Sequence, residues 1–123
     1  IKISELIQGG KSAKKWKSLR SEIYNDIIEN AWSDEKQAFT QSYGAEHLDA
    51  SVLLMEPYGF IDAKDTRYVK TVKAIERELS NEGLLFRYKN VDDFGTPSSS
   101  FTVCTFWFIS SLYKIGEKEK SSK

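Results

Sequence analysis

Residues 101–115, FTVCTFWFISSLYKI, constrain the fold more than any other part of the chain. Their residue types favour strands, yet a strand over 101–109 would leave Ser110 to Ile115 unexplained and would find no second strand to pair with. Phe101, Cys104, Trp107 or Phe108, Leu112 and Ile115 instead keep helical spacing for four turns, and Ser98, Ser99 and Ser100 precede them as natural caps. Phe106, Ile109 and Tyr113 fall on other faces. The segment therefore reads as a helix that is apolar nearly all round, and so buried nearly all round. Its apolar run is far shorter than the roughly 18 residues needed to span a bilayer.

The rest of the chain supplies helices of two kinds. Trp16, Leu19, Ile23 and Ile27 lie three or four apart, with Tyr24, Ile28 and Trp32 widening the stripe and Lys17, Ser21, Glu22, Asn25 and Glu29 opposite. This predicts a long amphipathic helix over 16–32. A polar connection, SDEKQAFTQSYGAEH, is punctuated by Gly44. LDASVLLMEPYGF then predicts a second helix over 45–57, apolar on most of its circumference and ended by Pro57 and Gly59. Tyr68, Val72, Ile75 and Leu79 predict an amphipathic helix over 65–81, with Asp62 or Asp65 as its cap and Gly83 in the left-handed position past its end. LLFRYKNVDDFGTP reads as a loop or short extended pair. The order is amphipathic, buried, amphipathic, buried: two helical hairpins, each with an outer and an inner member. Two hairpins cannot surround their own inner helices, so the predicted architecture is all-α, an arc of a larger stack of hairpins or a chain that assembles with copies of itself.

Composition excludes several classes. Eighteen basic residues balance eighteen acidic ones over 123 residues, which offers nothing to nucleic acid or an anionic membrane. Cys104 is the only cysteine and His47 the only histidine, so a disulfide framework and a Cys/His metal cluster are ruled out. The expected role of Cys104 is core packing, and that of His47 a surface helix residue. GKS at 10–12 lacks the upstream glycine of a phosphate loop, since Glu5 stands there. Residues 1–12 carry a small apolar patch, Ile3, Leu6 and Ile7, and residues 117–123 read as a disordered polar tail. With no signal or transit pattern at Ile1, the expected location is the cytoplasm.

Several motifs in order make the chain recognisable: FTQSYG (39–44), LDAS (48–51), D-x-R (65–67), T-V-x-A-I-E-R (71–77), G-L-L-x-R-Y (83–88) and C-x-F-W (104–107). From Trp16 to about Gly116 the chain resembles the bacterial and archaeal glucoamylase/trehalase group of glycoside hydrolase family 15. The resemblance implies a six-hairpin α/α toroid that hydrolyses α-glucosidic bonds with inversion and needs no cofactor or metal. It implies that 16–32 and 65–81 are outer-ring helices, that 45–57 and 98–115 are inner-ring ones, and that residues 1–116 form part of such a domain. An inverting hydrolase needs a general acid and a general base about 6.5–9.5 Å apart. In the family these lie in motifs before and after the matched region, and neither occurs in these residues. The resemblance thus implies no catalytic residue here, and a chain inactive if it stands alone.

Part of the sugar site is what the resemblance leaves. Arg87, with Tyr88 beside it, aligns with an arginine that hydrogen-bonds glucose hydroxyls; the competing reading is an ion pair with Asp92 or Asp93. Phe101 falls where the family carries an aromatic or bulky apolar residue at the mouth of an inner helix. Relatives often have an acid near Ser98, where this chain has only serines, leaving Ser99 as a hydroxyl contact. Gln41 and Tyr43 are candidates for another wall of the cup, or for holding their own loop in shape. Asp49, on a buried helix, needs partners, either loop amides or Arg87. Asp92 and Asp93, adjacent in a loop, do not form an opposed acid–base pair. The expected partners are an α-glucoside and the remainder of the toroid, or a second copy through open apolar edges. The alternative is a non-enzymatic interaction module using those same edges. VDDFG is too meagre for the metal-diphosphate chemistry of other α/α toroids.

Overall fold

The computed structural model describes residues 11–121, of which 11–30 and 31–121 belong to two separate compact units. The apolar patch at Ile3, Leu6 and Ile7 lies outside the described residues. Among the described residues no helix is long and apolar enough to cross a membrane.

In the first unit, α1 (Lys11–Asn30) is one continuous helix. It ends before the position the periodicity suggests, and at its last turn the Asn30 side-chain amide donates to the Asp26 carbonyl and carboxylate, both at 3.0 Å. Its stripe is largely open: Trp16 is 48% and Ile23 50% exposed.

The second unit starts with a small hairpin, β1 (Trp32–Ser33) antiparallel to β2 (Ala38–Phe39). Trp32, expected to extend the first helix, is here a strand residue. Its ring meets that of Phe39 edge to face at 5.3 Å, and its indole N–H donates to Asp34. A 3-10 helix (Ala50–Met55) follows, then α2 (Thr66–Leu79), a second hairpin of β3 (Ser80–Asn81) and β4 (Leu84–Leu85), and α3 (Thr102–Ile115). The single helical turn α4 (Lys118–Ser121) comes last.

The expected helix over 45–57 is only that six-residue 3-10 helix. Asp49 has extended backbone (φ −130°, ψ 131°), and the next amide, Ala50 N–H, donates to the Arg87 carbonyl at 2.8 Å. A helix begun at residue 45 would need both groups in helical pairing, so pairing with the distant segment replaces the residues from 45 to 49, about one and a half turns. Pro57 and Gly59 end it as expected, with Gly59 at φ 69°.

Asp65 is the cap of α2, its carboxylate taking the Arg67 amide at 2.8 Å. Tyr68, Thr71, Val72, Ile75 and Leu79 face inward, in agreement with the apolar spacing. Gly83 serves a different turn from the one expected. The chain leaves α2 at Ser80 in extended backbone, and Glu82 (φ 50°) and Gly83 (φ 80°) form the two-residue turn of the β3–β4 hairpin, a turn with positive φ at both positions that matches the twist of the strands.

α3 is a helix, as the four-turn spacing requires. It packs against α2, the 3-10 helix and β4. Cys104, Phe108 and Leu112 join Phe39, Leu53, Tyr68, Val72, Ile75 and Leu85 in the core. Tyr68 pins three elements together: its hydroxyl donates to the Leu53 carbonyl and lies 2.9 Å from Ser111 Oγ. Burial on all sides is not what these residues achieve. Val103, Phe106 and Tyr113 lie exposed on one face, Phe106 at 66%, because α2, the 3-10 helix and β4 cover only the other. The serines do not cap α3. Phe101 holds that position with no side-chain bond, and its amide donates instead to the Leu85 carbonyl at 2.9 Å. Gly116 (φ 96°) ends the helix, with the Glu117 amide reaching back to the Leu112 carbonyl at 2.9 Å. The expected polar tail starts with α4, held to α2 by Lys120 on the Glu76 carboxylate at 3.0 Å.

Candidate sugar-binding site

Hydrogen bonds from three directions fix the segment that leaves β4. Leu85 N–H donates to Thr105 Oγ1 at 3.0 Å, its carbonyl accepts from Phe101, and Phe86 N–H donates to the Leu79 carbonyl at 3.0 Å. Two residues on, the Arg87 carbonyl is taken by Ala50. The backbone carrying Arg87 is thus tied to α3, α2 and the 3-10 helix.

From there the chain turns around a cavity of about 370 Å³ whose lining includes Arg87, Tyr88, Asp92, Phe94, Ser98, Ser99 and Phe101. Four of the six residues expected from the sequence, Arg87, Tyr88, Ser99 and Phe101, come together here. Gln41 and Tyr43 do not line it. The Gln41 amide donates to the His47 carbonyl at 2.8 Å, closing its own loop.

The guanidinium finds its acid in Asp49, with Arg87 Nε 3.4 Å from Oδ2, rather than in Asp92 or Asp93. The other Asp49 oxygen accepts the Ser51 amide at 2.7 Å and caps the 3-10 helix. Asp49, expected to partner either loop amides or Arg87, engages a backbone amide and Arg87 together. Arg87 Cζ lies 5.9 Å from the centre of the Tyr88 ring, which steadies the pair.

Asp92 was not anticipated as a lining residue. Its Oδ2 accepts the Tyr88 hydroxyl and its Oδ1 the Phe94 amide at 2.8 Å. Asp92 and Gly95 also exchange both backbone bonds, which closes a tight loop with Gly95 at φ 97°. The hydrogen bond from Tyr88 holds the Asp92 carboxyl below its ordinary pKa and raises that of the phenol. An aspartate at the mouth of a tight turn before a glycine is a local signal; that it would face Tyr88 is not.

Cys104 is buried in the core, and burial pushes its thiol pKa up. Among the described residues no group of three or more His, Cys, Asp or Glu could hold a metal ion. The cavity combines a planar fork of donors, a carboxylate acceptor, serine hydroxyls and the aromatic faces of Phe101 and Phe94. That set suits a neutral ligand with adjacent hydroxyls and apolar C–H faces.

Comparison with known proteins identifies the family and the fold. The family model described as glycosyl hydrolases family 15 matches residues 1–122. A trehalase of Thermoplasma acidophilum is 41% identical over 100 residues, which are 80% of this chain and 17% of the trehalase. A trehalase of Mycobacterium tuberculosis is 40% identical over 120 residues, 94% of this chain and 18% of its own. The chain therefore spans less than a fifth of the length of these relatives. A solved glycosidase superposes with a TM-score of 0.80 over 94% of this chain and 30% of its own, and a variant of it is in complex with glucose; at 14% identity the likeness shows the fold, part of an α/α toroid. On the strength of a match that runs nearly end to end, the chain belongs to glycosyl hydrolase family 15.

Proposed function

We propose that residues 1–116 are a sector of the catalytic toroid of an α-glucoside hydrolase, glucoamylase- or trehalase-like and inverting, and that this sector supplies one wall of its sugar-binding cup. The observation that carries the reading is the gathering of Arg87, Tyr88, Ser99 and Phe101 around one cavity. In this role the Arg87 fork donates to vicinal hydroxyls, Phe101 covers a C–H face of the ring, and Ser99 and Asp92 complete the polar contacts. The acid and base that cleave the bond come from outside these residues, so the chain alone binds without hydrolysing.

The test is a pair of measurements on the 123-residue chain. Trehalose and maltose should remain intact, and glucose titration should move NMR signals around Arg87 and Phe101, with the response lost in Arg87→Ala. Turnover of either disaccharide refutes inactivity. A glucose response that Arg87→Ala leaves unchanged refutes the site.

A second reading, a non-enzymatic module that associates through its apolar edges, is favoured by the open faces of α3 and α1. Sedimentation that finds only monomer, with no binding of a hydrophobic dye, counts against it.

A further inference from the structure

Arg87 lines the cavity, but the acid that engages it does not. Asp49 is 3% exposed. A carboxylate buried that deeply is costly unless its charge and both oxygens are used. Capping the 3-10 helix through Ser51 occupies one oxygen, and a neutral asparagine could do the same. The charge and the second oxygen are accounted for by Arg87, 3.4 Å away at Nε. Nε is the inner edge of the guanidinium. An ion pair made at that edge biases the plane and leaves Nη1 and Nη2 for a ligand, while the neighbouring Ala50 amide holds the Arg87 backbone at 2.8 Å. The arginine side chain is otherwise 54% exposed, so without this contact it would be free to sample many rotamers.

We propose that Asp49 is a positioning residue for sugar recognition: it sets the plane of the Arg87 guanidinium so that the two terminal nitrogens meet adjacent hydroxyls, without touching the ligand itself. This rests on the reading of the cavity as a sugar site. Preorganisation of this kind lowers the cost of ordering a long side chain at the moment of binding, which is worth about two- to tenfold in affinity.

Two measurements on the 15N-labelled chain test it. The first needs no sugar. In the wild type the Arg87 Nε–H should exchange slowly with water and its bond vector should be ordered; in Asp49→Asn, which keeps an oxygen for Ser51, both properties should be lost. An Nε–H as mobile in the wild type as in the variant overturns the proposal, and the wild-type signal decides the pairing even where the variant fails to fold. The second is a glucose titration of the wild type, Asp49→Asn, Arg87→Ala and the double variant. Asp49→Asn should weaken binding about two- to tenfold, and the double variant should be no weaker than Arg87→Ala alone. Additive losses would mean that Asp49 acts through the fold and not through Arg87, which overturns the positioning role while the sugar site stands. Binding that survives Arg87→Ala unchanged removes the sugar site itself.

Discussion

Replacing Thr105 with valine removes one hydroxyl and changes almost nothing in shape. Thr105 Oγ1 is the acceptor for the Leu85 amide at 3.0 Å, and Leu85 is fully buried, so no water can take its place. Thr105→Val therefore orphans a buried N–H, at a cost of about 1–3 kcal/mol. Volume is conserved, so no cavity adds to this, and the extra apolar contact of a methyl returns something under about 1 kcal/mol. The net expectation is a loss of about 1–2 kcal/mol. With a urea slope on the order of 2 kcal/mol per molar, the unfolding midpoint should fall by about 0.5–1 M. Thr105→Ser keeps the oxygen and serves as the control for the amide. Hydrogen exchange gives a local readout, since the Leu85 amide should lose protection in the valine variant and keep it in the serine one. A valine variant with an unchanged midpoint, or with Leu85 as protected as before, would refute the reasoning. It would also remove one of the two hydrogen bonds argued to tie α3 to the segment that carries Arg87.

Tyr68→Phe deletes the hydroxyl shared by the Leu53 carbonyl and Ser111, and should cost about 1–2 kcal/mol in denaturant melts. Combined with Ser111→Ala the losses should fall short of additive, and full additivity would show that the two hydroxyls do not communicate. The hydrogen bond from Arg67 holds the Asp65 carboxyl below its ordinary value of 3.8, against a weaker opposing push from burial. A carboxyl depressed in the folded state adds stability above its unfolded pKa and loses it as pH falls through the folded one. Asp65→Asn should therefore be less stable than wild type at neutral pH, with the gap closing as pH drops below about 3.8. A gap that is constant across an acid titration of thermal melts would sink this.

Much of the architecture is legible in the chain because it rests on local periodicity. The three long helices follow from apolar residues three and four apart, and Asp65 caps α2 through its own near neighbours. The same holds for α3 against its strand-favouring composition: four turns of spacing outweigh residue preference once no partner strand exists. Of the candidate site, Arg87 and Tyr88 are legible because they sit in the G-L-L-x-R-Y motif, and Ser99 and Phe101 because they precede the last long helix.

What local pattern could not decide are the outcomes of competition between near and far hydrogen bonds. Asp49 gives up helical geometry, and the Ala50 amide a helical partner, because the Arg87 guanidinium and carbonyl, distant in sequence, offer better partners. Trp32 leaves the first helix to pair with Phe39, and Phe101 takes the cap from three serines because Leu85 is there to receive its amide. Asp92 enters the cavity lining through Tyr88, and Gln41 and Tyr43 stay out of it. The helical period is written in neighbours a few residues apart. Which face is covered, and which carboxylate meets which cation, is set only when the elements pack and each buried polar group must find its partner.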